Sequence, residues 1–144
     1  MHPRLDFLKA APNVMQPMLA LSQAANTGLE HSLAELVKTR ASQINSCAFC
    51  IKMHTADARK AGETEDRLYL LNAWRESHLY SERERAALAW TEALTLLPDT
   101  SAPDDVYEQM KAQFTEEEQV KLTLLIGVIN TWNRFAVGFR SAHA

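Results

Sequence analysis

Glycine and proline are scarce in this chain of 144 residues, four and five in all. That leaves few turn positions, and no run reads convincingly as a strand. Apolar runs are short as well. The longest, Leu122 to Asn130, falls far below the ~20 residues that a bilayer-crossing helix needs. The first residues, Met1-His2-Pro3-Arg4-Leu5-Asp6-Phe7, are followed by no apolar segment with a cleavage site, so no export signal is expected. Basic residues form no cluster: 15 Lys and Arg are dispersed among 18 Asp and Glu, with a net charge of −3. Neither nucleic acid nor a membrane is therefore an expected partner. Only two cysteines occur. A cytoplasmic location, expected by default, makes structural disulfides rare, so a close cysteine pair points to catalysis or metal binding instead of a staple.

What is present is an ordinary globular composition, 47% apolar and 23% charged, in a chain long enough for one compact domain, residues 1–144. Apolar residues recur at steps of three and four almost throughout, which predicts an all-α, single-domain bundle of about seven helices. One helix ends at Asn26-Thr27-Gly28, and the next runs from about Leu29 to Ile44. A third spans about Ser46 to Ala61, with Gly62 placed for a left-handed cap. Thr64 opens the fourth. Three later starts carry capping-box patterns: Ser81 with Glu84, Ser101 with Asp104, and Thr115 with Glu118. The run Glu116-Glu117-Glu118 reads as favourable negative charge at a helix start.

Both cysteines fall in Cys47-Ala48-Phe49-Cys50-Ile51-Lys52-Met53-His54. On a continuous helix Cys47, Cys50 and His54 lie within about 60° of one another and share a face. Sulfurs three residues apart near a helix start can cycle between dithiol and disulfide, and the helix N-terminus favours a thiolate at Cys47. Cys50 has a different helper. His54, four residues on, can take the thiol proton, because an imidazole titrates near neutral pH. This register makes Cys50 the nucleophile and Cys47 its resolving partner, whereas a thioredoxin analogy reverses those roles.

Other readings of the motif compete with this one. Both thiols could be inert core residues, since free cysteine is often buried. Zinc would find three donors on one helix face, an arrangement that rarely surrounds a tetrahedral ion, and no second CxxC completes the set. Haem attachment requires a histidine where Ile51 stands. His2, His31, His78 and His143 read as surface residues, and Trp74, Trp90 and Trp132 as core or subunit-contact residues.

Glu35 precedes Cys47 by eleven intervening residues, and the composite Glu-x11-Cys-x2-Cys-x3-His resembles the signature of alkylhydroperoxidase D-like proteins in the carboxymuconolactone decarboxylase family. The segments Leu79 to Trp90 and Ile129 to Phe135 are similar to later helices of that family, so the likeness covers roughly residues 15 to 140. It implies an all-helical fold assembling as trimers or hexamers, and a thiol peroxidase that reduces hydroperoxides. By that resemblance Cys50 is the peroxidatic cysteine, Cys47 the resolving cysteine, and Glu35 with His54 a proton relay. Asp57, three residues after His54, is the local rival to Glu35 for orienting the imidazole. Phe49 stands where some relatives hold a histidine, so a second ring beside the sulfurs is missing. The family's lactone decarboxylases do without the cysteine pair, which argues against that activity here.

The expected chemistry needs neither metal nor cofactor. It needs a hydroperoxide substrate and an external dithiol reductant of lipoyl or thioredoxin type. The competing expectations are a non-peroxidatic dithiol-disulfide oxidoreductase or redox sensor, and a structural oligomer with inert cysteines.

Overall fold

A computed structural model describes residues 1–143 as ten helices, with no strand among the described residues. The α-helices are α1 (Phe7–Ala10), α2 (Pro12–Ala25), α3 (His31–Ile44), α4 (Ala48–Lys60), α5 (Glu65–Tyr69), α6 (Glu82–Thr95), α7 (Leu97–Thr100), α8 (Asp104–Gln113) and α9 (Glu116–Phe139). A 3-10 helix, Leu71–Glu76, follows α5. The all-α expectation holds, but the count of about seven is too low. The extra elements are single turns such as α1 and α7 and the 3-10 segment, too short to display a helical period in the sequence.

Helix α3 is the centre of the bundle. Residues 33–39, 41 and 42 are all buried, because α3 packs against α4, α6 and α9 at once. On α6, Ala86, Ala87, Ala89 and Ala93 are all buried, and their small side chains allow close approach of the neighbouring helices. Leu36, Val37, Leu88, Leu122, Leu125, Ile126 and Ile129 fill the space between these elements. Arg40 of α3 is also tied to Glu92 of α6 at 3.0 Å, and Glu92 accepts from the Trp74 indole at 2.8 Å.

Helix α9 has 24 residues and is long and apolar enough to cross a membrane by length and composition. It lies against α2, α3 and α6, with seven of its residues buried, Asn133 among them. That is the placement of a core helix. Its start was legible in the sequence as the capping pattern of Thr115 with Glu118, and the apolar segment that follows runs to its end at Phe139.

Two of the three capping boxes form. The Ser81 hydroxyl accepts from the Glu84 N–H at 3.2 Å, and the Glu84 carboxylate accepts from the Ser81 N–H at 2.9 Å. Thr115 and Glu118 do the same at 3.3 and 2.9 Å. The third, Ser101 with Asp104, does not form. Ser101 and Ala102 both have left-handed φ, near 54° and 49°, because Ser101 closes α7, and Pro103 directly precedes α8. Gly62 behaves as expected: at φ 100° it closes α4, with the Glu63 N–H bonded to the Ala58 carbonyl at 2.9 Å and its own N–H to Arg59 at 3.0 Å.

Candidate active site

The α3–α4 turn sets the position of the cysteines. Ser46 takes a left-handed conformation and Cys47 an extended one, so α4 begins at Ala48, two residues later than expected. A chain of polar side chains clamps this turn to α9. The Asn45 amide donates to Asn130 and to Asn133, both at 2.9 Å, Asn133 donates to the Ser42 hydroxyl at 3.0 Å, and Ser42 donates to the Lys38 carbonyl at 2.7 Å. Such a satisfied buried network holds one backbone arrangement against its alternatives.

Cys47 is therefore the residue that caps α4 and not a member of its helical face. Its sulfur accepts the Cys50 N–H at 3.3 Å, and a sulfur so placed meets the positive end of the helix. Cys47 and Cys50 are joined as a disulfide, with Cα atoms 5.3 Å apart. Both are buried, 1% and 2% exposed, against Phe49 and Ala136.

His54 is buried one turn beyond Cys50, and its Nδ1 lies 3.1 Å from Glu35 Oε2. The second oxygen of Glu35 accepts from Lys38 Nζ at 2.6 Å. Burial pushes the Glu35 pKa up, but hydrogen bonds and charge from His54 and Lys38 outweigh it and hold the carboxyl below its ordinary 4.5. An ionised carboxylate only accepts, so Nδ1–H donates to Glu35 and Nε2 is left as the basic nitrogen. Glu35, not Asp57, orients the imidazole: Asp57 is exposed and within 4.8 Å of this pair, but the described hydrogen bond runs to Glu35. Glu35, His54 and Asp57 together could reach one cation, yet the Lys38 ammonium occupies Glu35 and opposes it.

A carboxyl with a depressed folded pKa contributes stability in full above its ordinary 4.5 and loses it as the pH falls through the lower folded value. Glu35→Gln is thus expected to flatten the loss of unfolding free energy between about pH 5 and pH 3. Urea titrations at several pH values check this, and an acid limb as steep as that of the unsubstituted protein contradicts it.

Cys50 and His54 open together onto a cavity of about 520 Å³. Its walls are mainly carbon, from Phe49 and Met53 of α4 and Leu125, Ile129 and Trp132 of α9. The N-terminal segment supplies another wall, including Leu5 and Phe7. That segment is fastened by the Arg4 N–H on the Phe139 carbonyl at 2.9 Å and by the Phe7 ring packed at a tilt against Phe135, centroids 5.1 Å apart. Cys47 and Glu35 do not line the cavity, so Cys50 is the sulfur on its side and Glu35 acts from behind the imidazole.

The sequence profile of the carboxymuconolactone decarboxylase family matches residues 12–93. The chain belongs to that family. Within it, the uncharacterized protein YdfG of Bacillus subtilis is 43% identical over 99% of both chains. A crystal structure of a protein of unknown function from Agrobacterium tumefaciens, provisionally described as the antioxidant defence protein AhpD, is 47% identical over 99% of both chains, with a TM-score of 0.97. The debrominase Bmp8 shares the fold at 17% identity, with a TM-score of 0.85 over 95% of this chain and 74% of its own. The fold of this carboxymuconolactone decarboxylase family member is thus AhpD-like.

All four residues singled out in the sequence, Glu35, Cys47, Cys50 and His54, meet in one place. His2, His31, His78 and His143 are exposed, as read. Trp74 and Trp90 are core residues, whereas Trp132 lines the cavity. Sequence reasoning missed Lys38 and the asparagine clamp. Lys38 stands three residues after Glu35, a spacing that pairs charges on a helix. Asn130 and Asn133 are polar residues inside the most apolar helix, which is itself a sign of a buried network.

Proposed function

We propose that the protein is a thiol-dependent hydroperoxide reductase working through a Cys50–Cys47 dithiol/disulfide cycle. The observation that carries this reading is the shared position of Cys50 and His54 on one apolar cavity, with Glu35 fixing the imidazole tautomer. In the reduced protein His54 Nε2 takes the Cys50 thiol proton. The thiolate attacks the terminal peroxide oxygen, the O–O bond breaks, and Cys50 becomes a sulfenic acid while an alkoxide leaves and takes the proton back from His54. The Cys47 thiol then condenses with the sulfenic acid, forming the disulfide and releasing water. A dithiol of lipoyl or thioredoxin type reduces that disulfide by exchange.

No metal or organic cofactor enters these steps, and a cytoplasmic setting supplies reductants of that kind. Assembly of copies as trimers or hexamers fits the exposed apolar residues Val14 and Leu19 on α2 and Val120 and Val137 on α9. Burial of both sulfurs favours small reactants, a hydroperoxide and then a lipoyl-type dithiol, over direct exchange with a folded protein.

A steady-state assay tests the reading. With cumene hydroperoxide and either dihydrolipoamide or reduced thioredoxin, sustained peroxide consumption is expected with at least one reductant. Reversible disulfide formation with no peroxide consumed would make the protein a dithiol module of another kind.

A further inference from the structure

Lys38 is the least explained charge in the molecule. It is 8% exposed, on the most enclosed helix, and it lines the same cavity as Cys50 and His54. An ammonium has three N–H donors. Two are taken, by Glu35 Oε1 at 2.6 Å and by Asn26 Oδ1 at 2.7 Å. The third has no protein acceptor among the described residues. A charged donor in a largely carbon-walled cavity is costly unless it meets an acceptor, and the arriving substrate can supply one. Glu35 bridges Lys38 and His54, so the ammonium stands at the reacting end of the cavity.

Resting on the peroxidase reading above, we propose that Lys38 is a substrate-contacting residue whose third N–H binds the electronegative reacting end of the substrate. The substrate class is a molecule with one strongly accepting or anionic oxygen group on an apolar body that the cavity walls enclose. For a hydroperoxide, Lys38 holds the inner oxygen, the one that leaves as alkoxide when the Cys50 sulfur bonds to the outer oxygen. The negative charge that builds on the leaving oxygen is met by the ammonium, and the proton that neutralises it comes from His54, so Lys38 stays protonated. A donor aimed at developing oxyanion charge acts in the transition state more than in the ground state.

The alternative is that Lys38 only keeps Glu35 ionised and the helix packed. Two reactions of reduced Cys47→Ser protein separate these roles. Alkylation of Cys50 by neutral iodoacetamide reports thiolate formation without an oxygen leaving group, and oxidation of Cys50 by cumene hydroperoxide includes one. Lys38→Gln keeps a donor for Glu35 without the charge, and Lys38→Arg keeps the charge; thermal melts confirm that each variant is folded. In Lys38→Gln, oxidation is expected to slow by about a hundredfold, the usual cost of one oxyanion donor, while iodoacetamide alkylation changes severalfold at most. Lys38→Arg is expected to recover part of the oxidation rate. Equal losses in both reactions, or none in oxidation, overturn the proposal.

A readout independent of peroxide chemistry is the ratio of iodoacetate to iodoacetamide alkylation rates at Cys50. An ammonium with one unused N–H on the same cavity favours the anionic reagent there, so Lys38→Gln is expected to lower that ratio by about tenfold. If the unsubstituted protein ignores hydroperoxides yet this ratio falls, the peroxidase reading fails and the Lys38 contact stands. An unchanged ratio overturns the contact itself.

Discussion

Cys50→Ser is expected to abolish hydroperoxide reduction, leaving no rate above that of the buffer and reductant. The serine hydroxyl is close in size and fits the same buried site, so the fold should persist. It cannot form the sulfenic acid, and no other group facing the cavity among the described residues can take an oxygen atom and be returned by dithiol exchange. Cys47 does not substitute for it. Cys47 caps α4, is 1% exposed and does not line the cavity, so a peroxide held beside His54 does not reach it. Full multiple-turnover activity in Cys50→Ser, measured as peroxide loss with excess dithiol, is the result that refutes this assignment.

His54→Ala is expected to give the next largest effect. Without the imidazole, a thiol of pKa ~8.5 is only a few per cent ionised at pH 7, which alone costs roughly thirtyfold. Loss of the proton donor to the leaving alkoxide adds to it, for an overall decrease of about a hundredfold at neutral pH. The two parts separate with pH. Above about pH 9 the thiol ionises by itself, so the first part of the rate should return and the second should not. Glu35 remains paired with Lys38 at 2.6 Å in this variant, so the fold is not left with an isolated buried carboxylate. Stopped-flow oxidation of the reduced variant from pH 6 to pH 10 checks this, and a profile superimposable on that of the unsubstituted protein contradicts it.

The cysteine site was legible in the sequence because its parts are local. Cys47, Cys50 and His54 sit within eight residues, and helical register alone links Cys50 to His54. Glu35 was reached only through the family spacing, since its contact depends on α3 folding back onto α4. The structure also refines the local reading. A left-handed Ser46 moves Cys47 out of the helix and makes it the cap, which brings its sulfur nearer the helix end than a continuous helix would.

What stayed hidden depends on contacts between distant segments. The cavity needs residues from α2, α3, α4, α9 and both ends of the chain, and no periodicity relates Phe7 to Trp132 or Cys50. The clamp from Asn45 to Asn133 spans 88 residues. Ser101 shows the opposite failure, a local pattern overridden: its capping partner was correctly spaced, but the turn from α7 into α8 took it into a left-handed conformation. Phe49, without a histidine's second ring, turns out to be a wall of the cavity beside the sulfurs. On the proposed peroxidase reading, that apolar wall would favour an organic over hydrogen peroxide by burying the substrate body.

The most direct measurement is the site of oxidation itself. Reduced Cys47→Ser protein is mixed with one equivalent of cumene hydroperoxide in the presence of dimedone, digested, and mapped by mass spectrometry, with reduced Cys50→Ser protein treated in parallel. The predicted result is one dimedone adduct, on Cys50, formed within a single turnover and accompanied by one equivalent of cumyl alcohol, with Cys47 unmodified in the parallel sample. An unmodified Cys50, or an equally fast adduct on Cys47, would contradict the account.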